Sequence, residues 1–129
     1  MKIVFFDPVH WDYSPLTPYQ KPLGGTQSAV CYLSTALSGL GHQVYIFNNI
    51  SNSEEINGVH CLNVRSNDAY LKEIINSSDI CIVIALPSLV KGLKSLINSK
   101  VKIFLWCQHS YNQPILESLY SIEIKQLWD

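Results

Sequence analysis

Gly24-Gly25-Thr26 stands directly in front of Ala29, Val30, Leu33, Ala36, Leu37 and Leu40, a set of apolar residues at helical spacing. A helix start leaves backbone N–H groups unpaired at the positive end of the helix dipole, and glycine lets an anion approach those groups closely. The junction therefore suits a phosphate, while a tight turn with Thr26 as capping residue is the alternative. His109 is a second candidate, because it follows the apolar run Val101 to Cys107 and so lies at the carboxyl end of an expected strand, where open parallel sheets bind their ligands. Around it, Gln108, Ser110 and Asn112 carry groups able either to hydrogen-bond ligand hydroxyls or to satisfy the turn. A third group, His10, Trp11, Tyr13 and Tyr19, falls in the stretch Asp7 to Leu23. Aromatic faces with polar rims suit a sugar ring or a lid, and equally a hydrophobic plug.

The elements that must position these residues alternate in type. Lys2 to Phe6 is a short apolar run that ends at Asp7-Pro8, since proline donates nothing to a sheet ladder. The loop that follows, Asp7 to Leu23, is far longer than a usual strand-to-helix connection. The glycine-led helix closes at Gly41-His42 and is followed by Val44 to Phe47, giving one β-α-β unit. Asn48 to Gly58 reads as polar loop, Val59 to Val64 as a third strand, and Ala69 to Asn76 as a helix with Tyr70, Leu71, Ile74 and Ile75 facing inward. Ile80 to Ile84 and Val101 to Cys107 are continuously apolar, as strands covered on both faces are, with a helix from Pro87 to about Asn98 between them and a last helix from Ile115. This alternation predicts an α/β fold with a doubly wound, Rossmann-like parallel sheet in strand order 3-2-1-4-5, over one domain spanning residues 1–129.

Composition narrows the function classes. With 129 residues, 47% hydrophobic, 15% charged and a net charge of -1, the sequence is that of a globular domain without a basic patch, which argues against a nucleic-acid partner. No apolar run approaches the roughly 20 residues of a transmembrane helix, and Asp7-Pro8 interrupts the first apolar stretch before it could form a signal-peptide core, so a cytoplasmic location is expected. Cys31, Cys61, Cys81 and Cys107 lie apart among apolar neighbours, as buried reduced thiols do, and no spacing suggests a metal site. His42 reads as a helix-end cation and His60 as a strand residue without a partner. The glycines do not form G-x-G-x-x-G, and Phe47-Asn48-Asn49 offers no carboxylate to a ribose, which argues against a nicotinamide cofactor.

Two segments carry a family resemblance. GGTQSAVCYLSTALSGLGHQVYIF from Gly24, and LWCQHSYNQP from Leu105 to Pro114, resemble the opening of the N-terminal domain and the segment after the fifth strand of GT-B glycosyltransferases, in particular retaining family four. The resemblance implies an acceptor-side domain of an enzyme that moves a sugar from a nucleotide-diphosphate donor to an acceptor without a metal or cofactor. By that resemblance Gly24, Gly25 and Thr26 face the donor diphosphate or reacting sugar, His109 serves at the sugar-transfer site, and Trp11, Tyr13 and Asn112 meet the acceptor. It also implies truncation of the N-terminal half, since related domains continue beyond Asp129 into a further strand and a donor-binding domain. The chain alone is then expected to be inactive, and to form a homodimer through the edge of its last strand or the surface at Tyr120, Leu127 and Trp128. The alternative from another class is a non-catalytic flavodoxin-like binding or regulatory domain.

Overall fold

The computed structural model of the chain describes residues 1–65, 68–84 and 86–108. In chain order the elements are β1 (Lys2–Phe6), α1 (Thr17–Gln20), α2 (Gly25–Gly39), β2 (Gln43–Asn48), β3 (Glu54–Ile56), β4 (Val59–Asn63), α3 (Asp68–Asn76), β5 (Ile80–Ile84), α4 (Pro87–Leu96) and β6 (Lys102–Trp106). Side chains alternate across a strand, so β1 sends Ile3 and Phe5 to one face of the sheet and Val4 to the other. On the first face Val30 of α2 packs with Ile3, Phe5, Val44, Ile46 and Ile84. On the second, Leu71, Ile74 and Ile75 of α3 and Val90 of α4 pack with Val4, Phe47, Cys81 and Val83. The sheet is thus covered by helices on both sides, as continuous apolar strands require.

The sheet has six strands in the order β3-β4-β2-β1-β5-β6. This corrects the expected five-strand order 3-2-1-4-5, because the residues read as a polar loop hold an additional strand, β3, antiparallel to β4. The turn between them is Asn57-Gly58, with both residues at positive φ, 53° and 80°, a conformation matching the right-handed twist of a two-residue hairpin. The remaining pairings, β4 with β2, β2 with β1, β1 with β5 and β5 with β6, are all parallel.

Several local expectations change. Tyr70 is half exposed rather than inward-facing. His60 has partners on both sides: its ring stacks on Tyr45 at 4.8 Å, and its Nδ1 lies 3.5 Å from Glu55 Oε2 across the hairpin. His42 Nδ1 meets the Met1 amino group at 3.0 Å. No residue of β6 is fully buried, and Phe104 is 49% exposed, so this strand is less enclosed than its apolar sequence suggests. The surface at Tyr120, Leu127 and Trp128 lies outside the described residues. All four cysteines are free; Cys31, Cys61 and Cys81 are buried and Cys107 is half-buried. Burial pushes the first three thiols up to about 12. No described helix is long and apolar enough to cross a membrane.

Candidate functional site

β1 lies between β2 and β5, and the chain leaves its carboxyl end toward one side while β5 continues toward the other. Such a reversal opens a crevice at the carboxyl edge of the sheet. Residues 7–24 occupy that edge before α2 begins. Their arrangement is fixed by side-chain hydrogen bonds to the neighbouring strand exit: Asn48 Nδ2 donates to the Tyr13 carbonyl at 2.8 Å, Asn49 Nδ2 donates to the His10 carbonyl at 2.7 Å, and both the backbone N–H and the hydroxyl of Ser51 donate to Asp12. The loop is pinned between His10 and Tyr13 by the exit of β2.

Between the loop and the start of α2 lies a cleft of about 610 Å³ lined by His10, Trp11, Asp12, Lys21, Pro22, Leu23 and Gly24. Its size suits a small-molecule site. Trp11 is 51% exposed and supplies the aromatic surface. Its ring lies so close to Gly24 that a Cβ there would come within 2.8 Å of both the indole and Gln27 Oε1. Gly24 is therefore required for the close approach of the two walls. A Cβ at Gly25 would meet nothing within 4 Å, so this glycine faces open space.

Gly24 is the N-cap of α2, and no side chain caps the helix. This corrects the reading of Thr26 as the capping residue: Thr26 is the second residue of the helix, past the position from which a hydroxyl reaches back over the first turn. The first helical hydrogen bond runs from Ser28 N–H to the Gly24 carbonyl at 2.8 Å. The backbone N–H groups of Gly25, Thr26 and Gln27 precede it and carry the positive end of the helix dipole. Lys21 adds a cationic side chain to the same cleft.

The structure separates the expected aromatic group. Trp11 lines the cleft, whereas Tyr13 is 1% exposed and donates its hydroxyl to Asp7 Oδ2 at 2.5 Å. Tyr13 is a plug beneath the loop, enclosed because the loop carries it down onto the end of β1, and it is withdrawn from the acceptor-contacting set. Tyr19 packs edge-on against Tyr32 of α2 at 6.1 Å and does not line the cleft. His109 and Asn112 lie outside the described residues.

Sequence reasoning missed the polar group beneath the cleft. Asp7 is wholly buried at the end of β1; its Oδ2 also accepts Gln27 Nε2 at 3.2 Å, and its Oδ1 has no hydrogen-bond partner among the described residues. Burial raises the carboxyl above the ordinary value of 3.8, opposed by the hydrogen bonds from Tyr13 and Gln27. Burial, followed by the Asp7 charge, likewise raises the Tyr13 hydroxyl. The signal was polar residues in core register: Gln27 shares the inward face of α2 with Val30, Cys31 and Ser34, and Asn48 closes the buried run of β2. Among the described residues no group of three or more His, Cys, Asp or Glu is placed to hold a metal ion.

Comparison of the chain with protein-family models, with curated proteins and with solved structures gives no match.

Proposed function

We propose that this chain is the acceptor-side domain of a retaining GT-B glycosyltransferase, binding part of a nucleotide-diphosphate sugar at the Gly24–Gly25 turn. The observation that carries the reading is the cleft itself: an uncapped helix start, a lysine and an exposed indole surround one cavity at the carboxyl edge of a parallel sheet. The amides of Gly25, Thr26 and Gln27 would stabilise negative charge on a diphosphate, and Trp11 offers a face to a sugar ring. Both halves of the resemblance point the same way, one through the glycine turn and the other through His109.

A helix N-terminus contributes at most about 2 kcal/mol to an anion. A dissociation constant of 1 mM corresponds to about 4.1 kcal/mol. Binding by this chain alone is accordingly expected to be weaker than about 1 mM, with the rest of the affinity supplied by a donor-binding domain. Heteronuclear NMR titration with uridine and guanosine diphosphate sugars tests this. The expected result is progressive shifts of the Gly25 and Thr26 amides and of the Trp11 indole N–H. Shifts confined to other residues would overturn the assignment, and saturable binding of a flavin mononucleotide instead would favour the flavodoxin-like alternative.

A further inference from the structure

We propose that Asp7 is the tie that sets the cleft: one carboxylate oxygen holds the loop wall through Tyr13 and the helix wall through Gln27, seating Trp11 against Gly24 before any ligand arrives. The geometry is specific. Asp7 Oδ2 accepts the Tyr13 hydroxyl at 2.5 Å and the Gln27 amide at 3.2 Å, so two segments far apart in sequence meet on one atom. Gln27 then turns its other amide atom, Oε1, toward Gly24, and the Trp11 ring occupies the remaining space beside that glycine. Tyr13 is only two residues beyond Trp11, and its carbonyl is independently fixed by Asn48. Moving Asp7 would shift both walls.

The surroundings of Asp7 make a purely packing role a poor explanation. The side chain is completely enclosed, and Oδ1 lacks a hydrogen-bond partner among the described residues. The His60–Glu55 pair lies at the far hairpin. A buried acid with an unsatisfied oxygen is costly, and an apolar residue of similar size would fill the space without that penalty. What the acid supplies and an apolar residue cannot is a shared acceptor for two donors on opposite walls. Burial favours the protonated form of Asp7, and a neutral carboxyl with its carbonyl oxygen as Oδ2 still accepts both hydrogen bonds.

The tie holds whatever the cleft binds, so its test requires no ligand and its failure is visible separately from failure of the transferase reading. Hydrogen exchange read by mass spectrometry on the full chain provides it. Tyr13→Phe removes the loop arm and should raise exchange in peptides covering residues 8–23 about tenfold, the factor equivalent to one net hydrogen bond to a buried acceptor, while β1, β2 and β5 keep their protection. Gln27→Met removes the helix arm and should loosen the same loop peptides, although Gln27 reaches Tyr13 only through Asp7. Asp7→Asn retains a carbonyl acceptor and should preserve protection. Should Tyr13→Phe fail to fold, Gln27→Met and Asp7→Asn decide the matter alone. Unchanged loop exchange in Gln27→Met, a uniform rise across the sheet, or Asp7→Asn loosening the loop as fully as the arm-cutting variants would each overturn the proposal.

Discussion

β1 and β5 are neighbouring parallel strands, paired from Ile3 with Ile80 to Phe6 with Val83, yet they leave the same edge of the sheet in opposite ways. β5 passes almost directly into α4, with Pro87 in the first turn and buried apolar groups at Val83, Ile84, Pro87 and Val90. β1 leaves through residues 7–24 and buries Asp7, Tyr13 and Thr17 on the way. The first exit is held by shape, which tolerates changes of volume so long as apolar area remains buried. The second is held by direction, since each donor must find its acceptor. A cleft formed at the second exit can keep two walls in register without filling the space between them.

The largest test of this contrast is Tyr13→Ala. It empties the plug and removes a donor to Asp7, and should cost about 3–5 kcal/mol, as for other buried aromatic truncations. Leu86→Ala at the short exit should cost less than half as much, because Leu86 is only partly buried. Urea denaturation of both variants measures the difference, and equal losses would end the distinction. A finer cut is Tyr13→Phe, which keeps the ring and removes one hydrogen bond to a buried group, expected to cost about 1–3 kcal/mol. Its counterpart, Ile84→Val, removes one methylene from the apolar exit and should cost about 0.5–1.5 kcal/mol. The discriminating readout is location: the first should act on the loop, the second on the sheet, as resolved by amide exchange.

The two glycines sharpen the contrast further. Gly24→Ala must displace either the Gln27 amide or the Trp11 ring and should cost about 1 kcal/mol, with a shift in the Trp11 indole resonance. Gly25→Ala enters open space at a helical position and should change stability by no more than about 0.5 kcal/mol. If Gly25→Ala perturbs the Trp11 resonance as strongly as Gly24→Ala does, the packing described for the cleft is wrong.

A small effect at neutral pH is expected for Asp7→Asn, within about 1 kcal/mol of the wild type, because the amide oxygen can replace Oδ2 as acceptor. Its signature is a changed pH dependence. The folded carboxyl is raised above 3.8 chiefly by burial, so its favourable contribution is complete below that value and is lost as pH rises through the raised folded value. Tyr13 and Cys31, the titratable groups facing Asp7, are themselves raised and stay protonated throughout. The stability of Asp7→Asn relative to wild type should therefore improve from pH 4 upward. Parallel urea midpoints for the two proteins across pH 4–7 would show that Asp7 titrates as an ordinary carboxylate.

Much of the scaffold was legible because its strands are apolar and its helices periodic. Ile80 to Ile84 was readable as a buried strand, and the glycine-led run from Ala29 to Leu40 as a helix. The hairpin was missed although Asn57-Gly58 is the strongest short signal for one, because Glu54 and Glu55 lack the apolar character by which strands are usually recognised. The cleft was legible at Gly24 and Trp11, since the absence of a side chain in one and the aromatic face of the other are evident from type alone. Tyr13 was not, since nothing local distinguishes an aromatic ring that lines a cleft from one that plugs the loop beneath it. Asp7 was read only as the end of a strand. Its partners are Tyr13, in the same loop, and Gln27, in the first turn of a helix, and that meeting exists only once β1 and α2 are packed.

The thiols of Cys31, Cys61 and Cys81 stay protonated at neutral pH and are shut away from solvent, whereas Cys107 is half-buried and follows β6 at the carboxyl edge. Alkylating reagents must reach the sulfur, and access favours reaction at Cys107. The unmodified sequence thus carries a site-selective attachment point on the side of the sheet where the cleft opens. A maleimide fluorophore would attach there without any engineered cysteine.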